Sequence, residues 1–258
     1  MIRKIIGKII MKCSTNWYNP LLSVILNFYY LPFKQARRLP IACYGWPHFI
    51  SMHGNIIIET EDIYFKMIRL NVTQHNPYNS CGTFEYVNDG GSLIFQGSAV
   101  IMSGSRIMLY SVGRIVIGTG CYICSCCNVG CQEEIVIGKD VIIAAGTTIY
   151  DTDFHYKYNI KKQSVKDIHS KIVIGDRVWL CTRSYLSKGT IIPKGCIVSA
   201  NTVISRSLGE IKEYSIIAGN PAKVVAEGYI IVKGALEEEL LEKFLQSDCG
   251  ELLVQYEI

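Results

Sequence analysis

A branched aliphatic residue recurs at every sixth position through a long part of this chain. Neither the 3.6-residue period of a helix nor the two-residue period of a strand produces that spacing. A period of six is typical of a parallel β-helix, in which three short strands and three corners make one triangular turn. The series includes Ile117, Ile123, Val129 and, after a shift of two residues, Ile137, Ile143 and Ile149, and then Ile174, Leu180, Leu186, Ile192, Val198 and Ile204.

The residues beside these aliphatics support the same prediction. A small residue usually follows directly, as at Gly118, Ala144 and Gly175, and the tetrapeptide Ile-Val-Ile-Gly recurs at 115–118, 135–138 and 172–175. The alternative, an antiparallel sandwich with glycine-rich turns, does not require a fixed spacing. We therefore predict an all-β coil whose aliphatics fill a narrow prism.

The period divides the chain into three predicted parts. Residues 1–92 form an N-terminal accessory region with a helical start and short strands, residues 93–226 form the coil, and residues 227–258 form a tail with a helix at 235–246. The helix is expected to cap the open end of the coil, which otherwise exposes strand edges. Residues 151–171 break the period and predict a functional loop extruded from the coil.

Composition and charge limit the classes of protein to which this chain can belong. The chain has 258 residues, 49% of them hydrophobic and 19% charged, so it can bury a large core. Its net charge of +4 does not predict nucleic-acid binding. No acidic residue precedes Glu59, and the basic, Ile-rich start could lie on an anionic membrane surface or pack on the coil or a neighbouring subunit. We find no convincing signal peptide and predict a cytoplasmic protein, with peripheral membrane contact left open.

The eleven cysteines are predicted to be reduced thiols packed in the coil. Several occupy the small-residue positions of the repeat, and the number is odd. Cys121 and Cys124 have the spacing of metal ligands, which is the alternative interpretation. No second pair follows at the distance that a zinc ribbon requires, so no metal is expected.

Three segments resemble the hexapeptide-repeat acyltransferases, in the branch of maltose, galactoside and polysaccharide O-acetyltransferases. They are 172–179 (IVIGDRVW), 151–155 (DTDFH) and 218–224 (AGNPAKV). The resemblance covers about residues 93–226 and implies a left-handed parallel β-helix, a homotrimer, and acetyl transfer from acetyl-CoA to a sugar hydroxyl. The acceptor would belong to surface polysaccharide biosynthesis, as polymer or lipid-linked precursor.

The resemblance also assigns candidate catalytic residues. His155 stands where the family has its catalytic histidine, and a neutral imidazole suits proton abstraction from an alcohol near pH 7. Asp153 or Asp151 could orient that imidazole or cap the loop. His169, in the same loop, is expected to be a solvated side chain.

Carrying the family's positions over predicts where coenzyme A binds. It would pass Thr182, Ala200 and Ser205, with Trp179 beside the pantetheine arm and Arg206 and Lys223 near the phosphates. The family often has a second basic residue where this chain has Ala226, so its phosphate binding is expected to differ.

The acceptor site is predicted from Asn128 and Glu133, with Glu134 as an alternative acid. Other hypotheses stay open at this point. They are acetylation of an amino sugar, serine or antibiotic, and a non-catalytic β-helix trimer that serves as a binding scaffold. A metal enzyme resembling γ-type carbonic anhydrase needs three histidines at a subunit interface, and only His155 and His169 lie in or beside the coil.

Overall fold

A computed structural model describes residues 16–73, 82–205, 208–245, 250, 251 and 254 of the chain. The described strands form three long sheets whose strands pair in parallel, except at the last strand. Each turn of the chain adds one strand to the first sheet, one to the second and one to the third. The product is a three-sided prism, as the six-residue period predicts.

The strands are numbered in chain order. The first sheet consists of β1 (Ile41–Cys43), β4 (Ile68–Val72), β7 (Ala99–Met102), β10 (Cys121–Ile123), β13 (Ile142–Ile143), β18 (Trp179–Leu180), β21 (Ile197–Val198), β23 (Ser215–Ala218) and β24 (Lys223–Glu227). The second sheet consists of β2 (His48–Met52), β5 (Glu85–Asn88), β8 (Arg106–Leu109), β11 (Asn128–Cys131), β14 (Thr148–Tyr150), β19 (Tyr185–Leu186) and β22 (Val203–Ile204). The third consists of β3 (Asn55–Ile58), β6 (Ser92–Phe95), β9 (Arg114–Ile117), β12 (Glu134–Ile137), β17 (Ile172–Ile174) and β20 (Ile191–Ile192).

The repeating aliphatics fill the prism. Each aliphatic of the predicted series is at most 2% exposed, and those of successive turns stack in register, as Val129 does on Ile149. Strands of two to four residues suffice because each contributes one or two inward side chains to the core. The predicted core is therefore confirmed.

The coil begins earlier than the sequence pattern indicates. Strand β1 pairs in parallel with β4, β2 with β5, and β3 with β6, so five strands of the coil, β1 to β5, precede the predicted start at residue 93. The boundary between residues 92 and 93 therefore does not coincide with the architecture. Segments 59–67 and 73–84 separate these early strands and interrupt the period of six.

Helix α1 (Pro20–Tyr30) closes the N-terminal end of the prism, followed by the short helix α2 (Phe33–Ala36). The Asn27 side chain accepts a hydrogen bond from Ile41 N and donates one to Ile41 O, at 3.0 and 2.7 Å. Ser23 Oγ accepts another from Cys43 N at 3.0 Å. These buried side chains form hydrogen bonds with backbone N–H and C=O groups at the outer edge of β1, which would otherwise be unpaired.

The C-terminal helix α3 (Ala235–Leu245) forms close to where it was predicted. Its side chains Leu241, Phe244 and Leu245 are exposed, so in this chain the helix does not bury its apolar face against the end of the coil. The predicted capping role is wrong for the single chain. The last strand, β24, instead pairs antiparallel with β23.

The cysteines are largely packed thiols. Seven of the described cysteines are free, and burial raises the pKa of Cys121 and Cys124 to about 11 and that of Cys127 to about 12. Such thiols stay protonated at neutral pH and are poor nucleophiles and metal ligands. Cys126 departs from the prediction because it is disulfide-bonded.

Candidate active site

Residues 151–171 form an arm that leaves the coil at the edge between the second and third sheets. Thr152 and His169 form an antiparallel bridge at its root, and Asp153 N donates to Ile168 O at 2.9 Å. Further out, β15 (Tyr158–Asn159) pairs with β16 (Ser164–Val165) as a small hairpin. The extruded loop is therefore an ordered arm on a fixed base.

Asp151 anchors the root of the arm to the preceding turn of the coil. Its carboxylate is fully buried and accepts hydrogen bonds from the backbone N–H groups of Gln132 and Glu133, both at 2.8 Å. The thiol of Cys131 also lies 3.2 Å from one of its oxygens. Asp151 therefore shapes the corner beneath the arm, and these contacts leave it a structural role rather than contact with His155.

His169 closes the neck of the arm. Its Nε2 lies 2.7 Å from Gln132 Oε1, which also accepts from Thr152 Oγ1 at 2.8 Å. Its Nδ1 lies 3.0 Å from Asp167 Oδ1. The expectation of a solvated side chain is wrong, because both ring nitrogens are occupied by contacts that fix the arm.

Asp153 is held by two lysines. Lys157 Nζ lies 2.8 Å and Lys188 Nζ 3.2 Å from its Oδ2. The hydrogen bond from Lys157, and after it that from Lys188, holds the pKa of Asp153 below its usual value. Lys188, which also donates to Asp167 O at 2.6 Å, lies one turn further along the coil and ties both legs of the arm together. In the structure Asp153 positions the arm, and its contacts do not reach the His155 ring.

His155 lies on the first leg of the arm and is exposed. Its backbone N–H donates to Asp153 O at 2.7 Å, and the preceding residue, Phe154, has a φ of 61°. No hydrogen bond of the imidazole is found within the described part of the chain, so the ring is free to meet a substrate or a second subunit.

An aromatic cluster that the sequence analysis missed surrounds Phe154. The Phe154 ring lies 5.2 Å from that of Tyr150 and 6.0 Å from that of Tyr110, and Tyr150 lies 6.5 Å from Tyr185. Gly130 makes room for this arrangement, since a Cβ there would lie 2.8 Å from the Tyr150 ring. The cluster offers aromatic surface beside His155 on the outer face of the second sheet.

The two candidate acceptor residues lie close to this face. Asn128 points outward and is half-buried, in register with Arg106 and Thr148. The Glu133 side chain is exposed, while its backbone N–H donates to the Asp151 carboxylate. The alternative, Glu134, is paired with Arg114 and Lys171, which lower its pKa, Lys171 most strongly. Glu133 is therefore the carboxylate that remains available to a ligand.

The predicted coenzyme A residues divide between two edges of the prism. Half-buried Trp179 lies between Ile142 and Ile197 on the outer face of the first sheet. Thr182 and Ala200 follow at the edge between the first and second sheets, where Asn201 N donates to Thr182 O at 3.0 Å.

Ser205 is exposed at the edge that carries the arm, and Lys223 is exposed on β24. Arg206 lies outside the described residues. The assignment of these residues to coenzyme A binding therefore stays a prediction. Within the described residues, no three His, Cys, Asp or Glu side chains form a group that could hold a metal ion.

Replacing Lys188 with Met should loosen the arm. The variant loses the ion pair to Asp153 and the hydrogen bond to Asp167 O, so we expect severalfold faster trypsin cleavage after the lysines of the arm. Lys212→Met, which removes a comparable ion pair to Glu227 at 2.9 Å, serves as the control and should leave cleavage of the arm unchanged.

Protonation of Asp153 in acid should also loosen the arm, because it removes the ion pairs with Lys157 and Lys188. Because the pKa of Asp153 is lowered from 3.8 in the folded chain, its ion pairs stabilise the arm fully above that value. Their contribution is lost as the pH falls through the lowered pKa. Hydrogen exchange of the arm amides should therefore be constant from pH 7 to pH 5, after correction for intrinsic rates. A loss of protection in that range would contradict the assignment.

Comparison with known proteins gives the class to which this site belongs. No family model matches the chain. Over 148 residues it is 30% identical to the “Putative lipopolysaccharide biosynthesis O-acetyl transferase WbbJ” of Escherichia coli K12, and the match covers 54% of this chain and 74% of that protein. It is also 34% identical over 95 residues to a “Probable acetyltransferase” of Mycobacterium tuberculosis, which covers 36% of this chain and 30% of that protein.

Among solved structures, the polySia-specific acetyltransferase NeuO has the same fold. The TM-score is 0.56 at 16% identity, and the match covers 80% of this chain and 92% of NeuO. The chain is an acyltransferase with a left-handed parallel β-helix. It belongs to the family of hexapeptide-repeat O-acetyltransferases, as the identity to WbbJ over most of that protein shows.

Proposed function

We propose that this protein transfers an acetyl group from acetyl-CoA to a hydroxyl of a sugar in polysaccharide biosynthesis, with His155 as the general base. The observation that carries this proposal is the exposed His155 on an arm that Asp151, Asp153, Lys188 and His169 hold in place. WbbJ and NeuO, whose names refer to lipopolysaccharide and to polysialic acid, support a surface glycan as acceptor.

The proposed chemistry needs one base and one oxyanion donor. The His155 imidazole takes the proton of the sugar hydroxyl while the oxygen attacks the thioester carbonyl. A backbone N–H of the coil stabilises the oxyanion, and its collapse expels the thiolate of coenzyme A. The imidazolium returns the proton to that thiolate. The buried cysteines are not needed as nucleophiles, since their thiols are protonated at neutral pH.

A homotrimer is part of the proposal. Within one chain, the outer face of the second sheet separates the arm from Trp179, Thr182 and Ala200. A neighbouring copy brings its coenzyme A edge to the arm of the first and supplies a hydrogen bond to the His155 ring, which makes none within the described residues. Light scattering that gives a monomer under assay conditions would contradict this shared site.

The acetyl transfer is tested by coenzyme A release from acetyl-CoA with a panel of neutral and acidic oligosaccharides. We expect release that depends on an oligosaccharide and follows saturation kinetics. Serine and an aminoglycoside antibiotic in the same panel test the alternative acceptors. Release with one of these and not with any sugar would overturn the proposed acceptor class. Binding of acetyl-CoA without release on any acceptor would favour the non-catalytic scaffold.

We also propose that the protein works at the cytoplasmic face of a membrane, on an acceptor that can be lipid-linked. No described helix is long and apolar enough to cross a membrane. However, α1 exposes Leu21, Ile25, Phe28 and Tyr29 at the closed end of the coil. Three exposed basic side chains, Lys34, Arg37 and Arg38, follow within eight residues of this helix, and no acidic residue precedes Glu59, so the described part of this end suits an anionic lipid surface.

Vesicle sedimentation tests the membrane contact. The protein should bind vesicles that contain phosphatidylglycerol and not vesicles of phosphatidylcholine alone. Ile25→Glu with Phe28→Glu should abolish sedimentation, because both side chains lie on the exposed face of α1. Val112→Glu, at a side chain that is 83% exposed elsewhere on the coil, is the control for added charge. Equal sedimentation of both variants would contradict the contact.

A further inference from the structure

A cleft lies on the outer face of the first sheet, near the closed end of the coil and on a different side of the prism from the root of the arm. Its volume is about 460 Å³, within the range of small-ligand pockets. Three tyrosines and two cationic side chains line it, and none of its lining residues is acidic. The residues that define the cleft are Tyr44, Tyr64, Lys66, Arg69, Val100 and Tyr122.

The sheet sets the spacing of the cleft. Arg69, Val100 and Tyr122 are register partners on three adjacent strands. The backbones of neighbouring partners therefore lie about 4.8 Å apart. Val100 is buried in a small cluster with Val72 and Met102, against which Tyr44 and Tyr122 pack. The cleft thus combines an apolar floor with tyrosine side chains, and Arg69 lies beside Val100 on the side opposite Tyr122.

Local backbone features fix these groups in place. Asn71 lies at a strand irregularity with a φ of 63°, and its amide donates to Tyr44 O at 2.7 Å while accepting from Phe84 N at 2.8 Å. Lys66 has a φ of 61°, and its ammonium lies 3.8 Å from the centroid of the Tyr18 ring. These contacts hold the two residues in place beside the cleft.

No carboxylate in the described part of the chain forms an ion pair with the cationic side chains of the cleft. Arg69 is exposed and makes no ion pair with a described carboxylate, and neither does Lys66. Burial raises the pKa of Tyr122, Cys124 adds to that increase, and the Arg69 guanidinium opposes it, so the positive charge acts inside the cleft. An anionic group of a ligand could complete these interactions.

We propose that this cleft is a non-catalytic binding site for an acidic stretch of a glycan chain. Tyrosine rings offer apolar faces with a polar edge, which suits sugar rings, and a guanidinium pairs with a carboxylate in a bidentate geometry. This inference rests on the proposed function, because the ligand is a segment of the glycan acceptor. Binding here retains the polymer while the arm acts on another of its units.

The test is a calorimetric titration of the full chain with a hexamer of galacturonic acid in the absence of acetyl-CoA. The carboxyl-reduced, neutral hexamer is the ligand control. We expect binding of the acidic hexamer that weakens with added salt, and at least about tenfold weaker binding in Arg69→Gln. Arg37→Gln removes the same charge from an exposed arginine outside the cleft and should bind like the native chain.

The proposal is overturned if the acidic hexamer does not bind, if the neutral hexamer binds equally well, or if the two arginine variants lose affinity equally. A change of oligomeric mass in Arg69→Gln would also overturn it and would assign the cleft to a subunit contact. Tighter binding of ADP that depends on Arg69 would make it a nucleotide site and also exclude the glycan. Because no acetyl-CoA is present, failure here leaves acetyl transfer untouched, and failure of acetyl transfer leaves the binding result intact.

Discussion

Substituting His155 with Ala should lower kcat for acetyl transfer by at least about a hundredfold, which is the effect expected when a general base is lost. The KM for acetyl-CoA should change little, since none of the residues predicted to bind the coenzyme belongs to the arm. The side chain is exposed and makes no hydrogen bond within the described residues, so the thermal midpoint should stay the same. Steady-state coenzyme A release and differential scanning fluorimetry check the two expectations.

His48→Ala is the matched control, because it removes an exposed histidine from β2, far along the coil from the arm. It should leave kcat unchanged. If His155→Ala retains native turnover with the same acceptor, the role of general base is wrong. If both histidine variants lose activity equally, the loss does not report on the arm.

Substituting Asp151 with Ala should lower the free energy of unfolding by about 3 kcal/mol, because two N–H groups lose a charged acceptor at 2.8 Å and a buried site is left empty. The corner at 131–133 then no longer fixes the root of the arm, so kcat should fall as well. Denaturant unfolding and coenzyme A release measure the two effects. Asp151→Asn keeps the shape of the side chain and should lose less stability.

Asp62→Ala controls for the removal of a carboxylate, since Asp62 is exposed in a loop and its own side chain makes no described contact. It should leave stability within about 0.5 kcal/mol of the native chain. An Asp151→Ala variant as stable and active as Asp62→Ala would show that the contacts of Asp151 do not hold the arm.

The regular part of the fold could be predicted because a β-helix repeats one local rule. An inward aliphatic every six residues specifies both the strand and its stacking partner one turn away, as for Val129 on Ile149. Strands β1 to β5 were not predicted to belong to the coil because they are not spaced six residues apart. Segments 59–67 and 73–84 are longer than the two-residue or four-residue corners that would keep the period. The edge contacts of Asn27 and Ser23 depend on tertiary packing and leave no periodic trace.

The site could be predicted in part. A family motif locates His155, and the buried Asp151 lies 19 residues from Gln132, close to one turn of the coil. Lys188 was missed because the arm separates it by 35 residues from Asp153, so no local spacing links the two. Sequence spacing and residue type do not show whether the His169 ring is solvated or makes contacts at both nitrogens. They also do not show that Cys126 forms a disulfide.

The most direct test of the account is carbon-13 NMR of the glycan after incubation with acetyl-CoA labelled at the acetyl carbonyl. Native protein should give an ester carbonyl signal on the sugar, and His155→Ala should give almost none. Free labelled acetate without glycan product, or an amide signal on an amino sugar, would contradict O-acetylation by this chain.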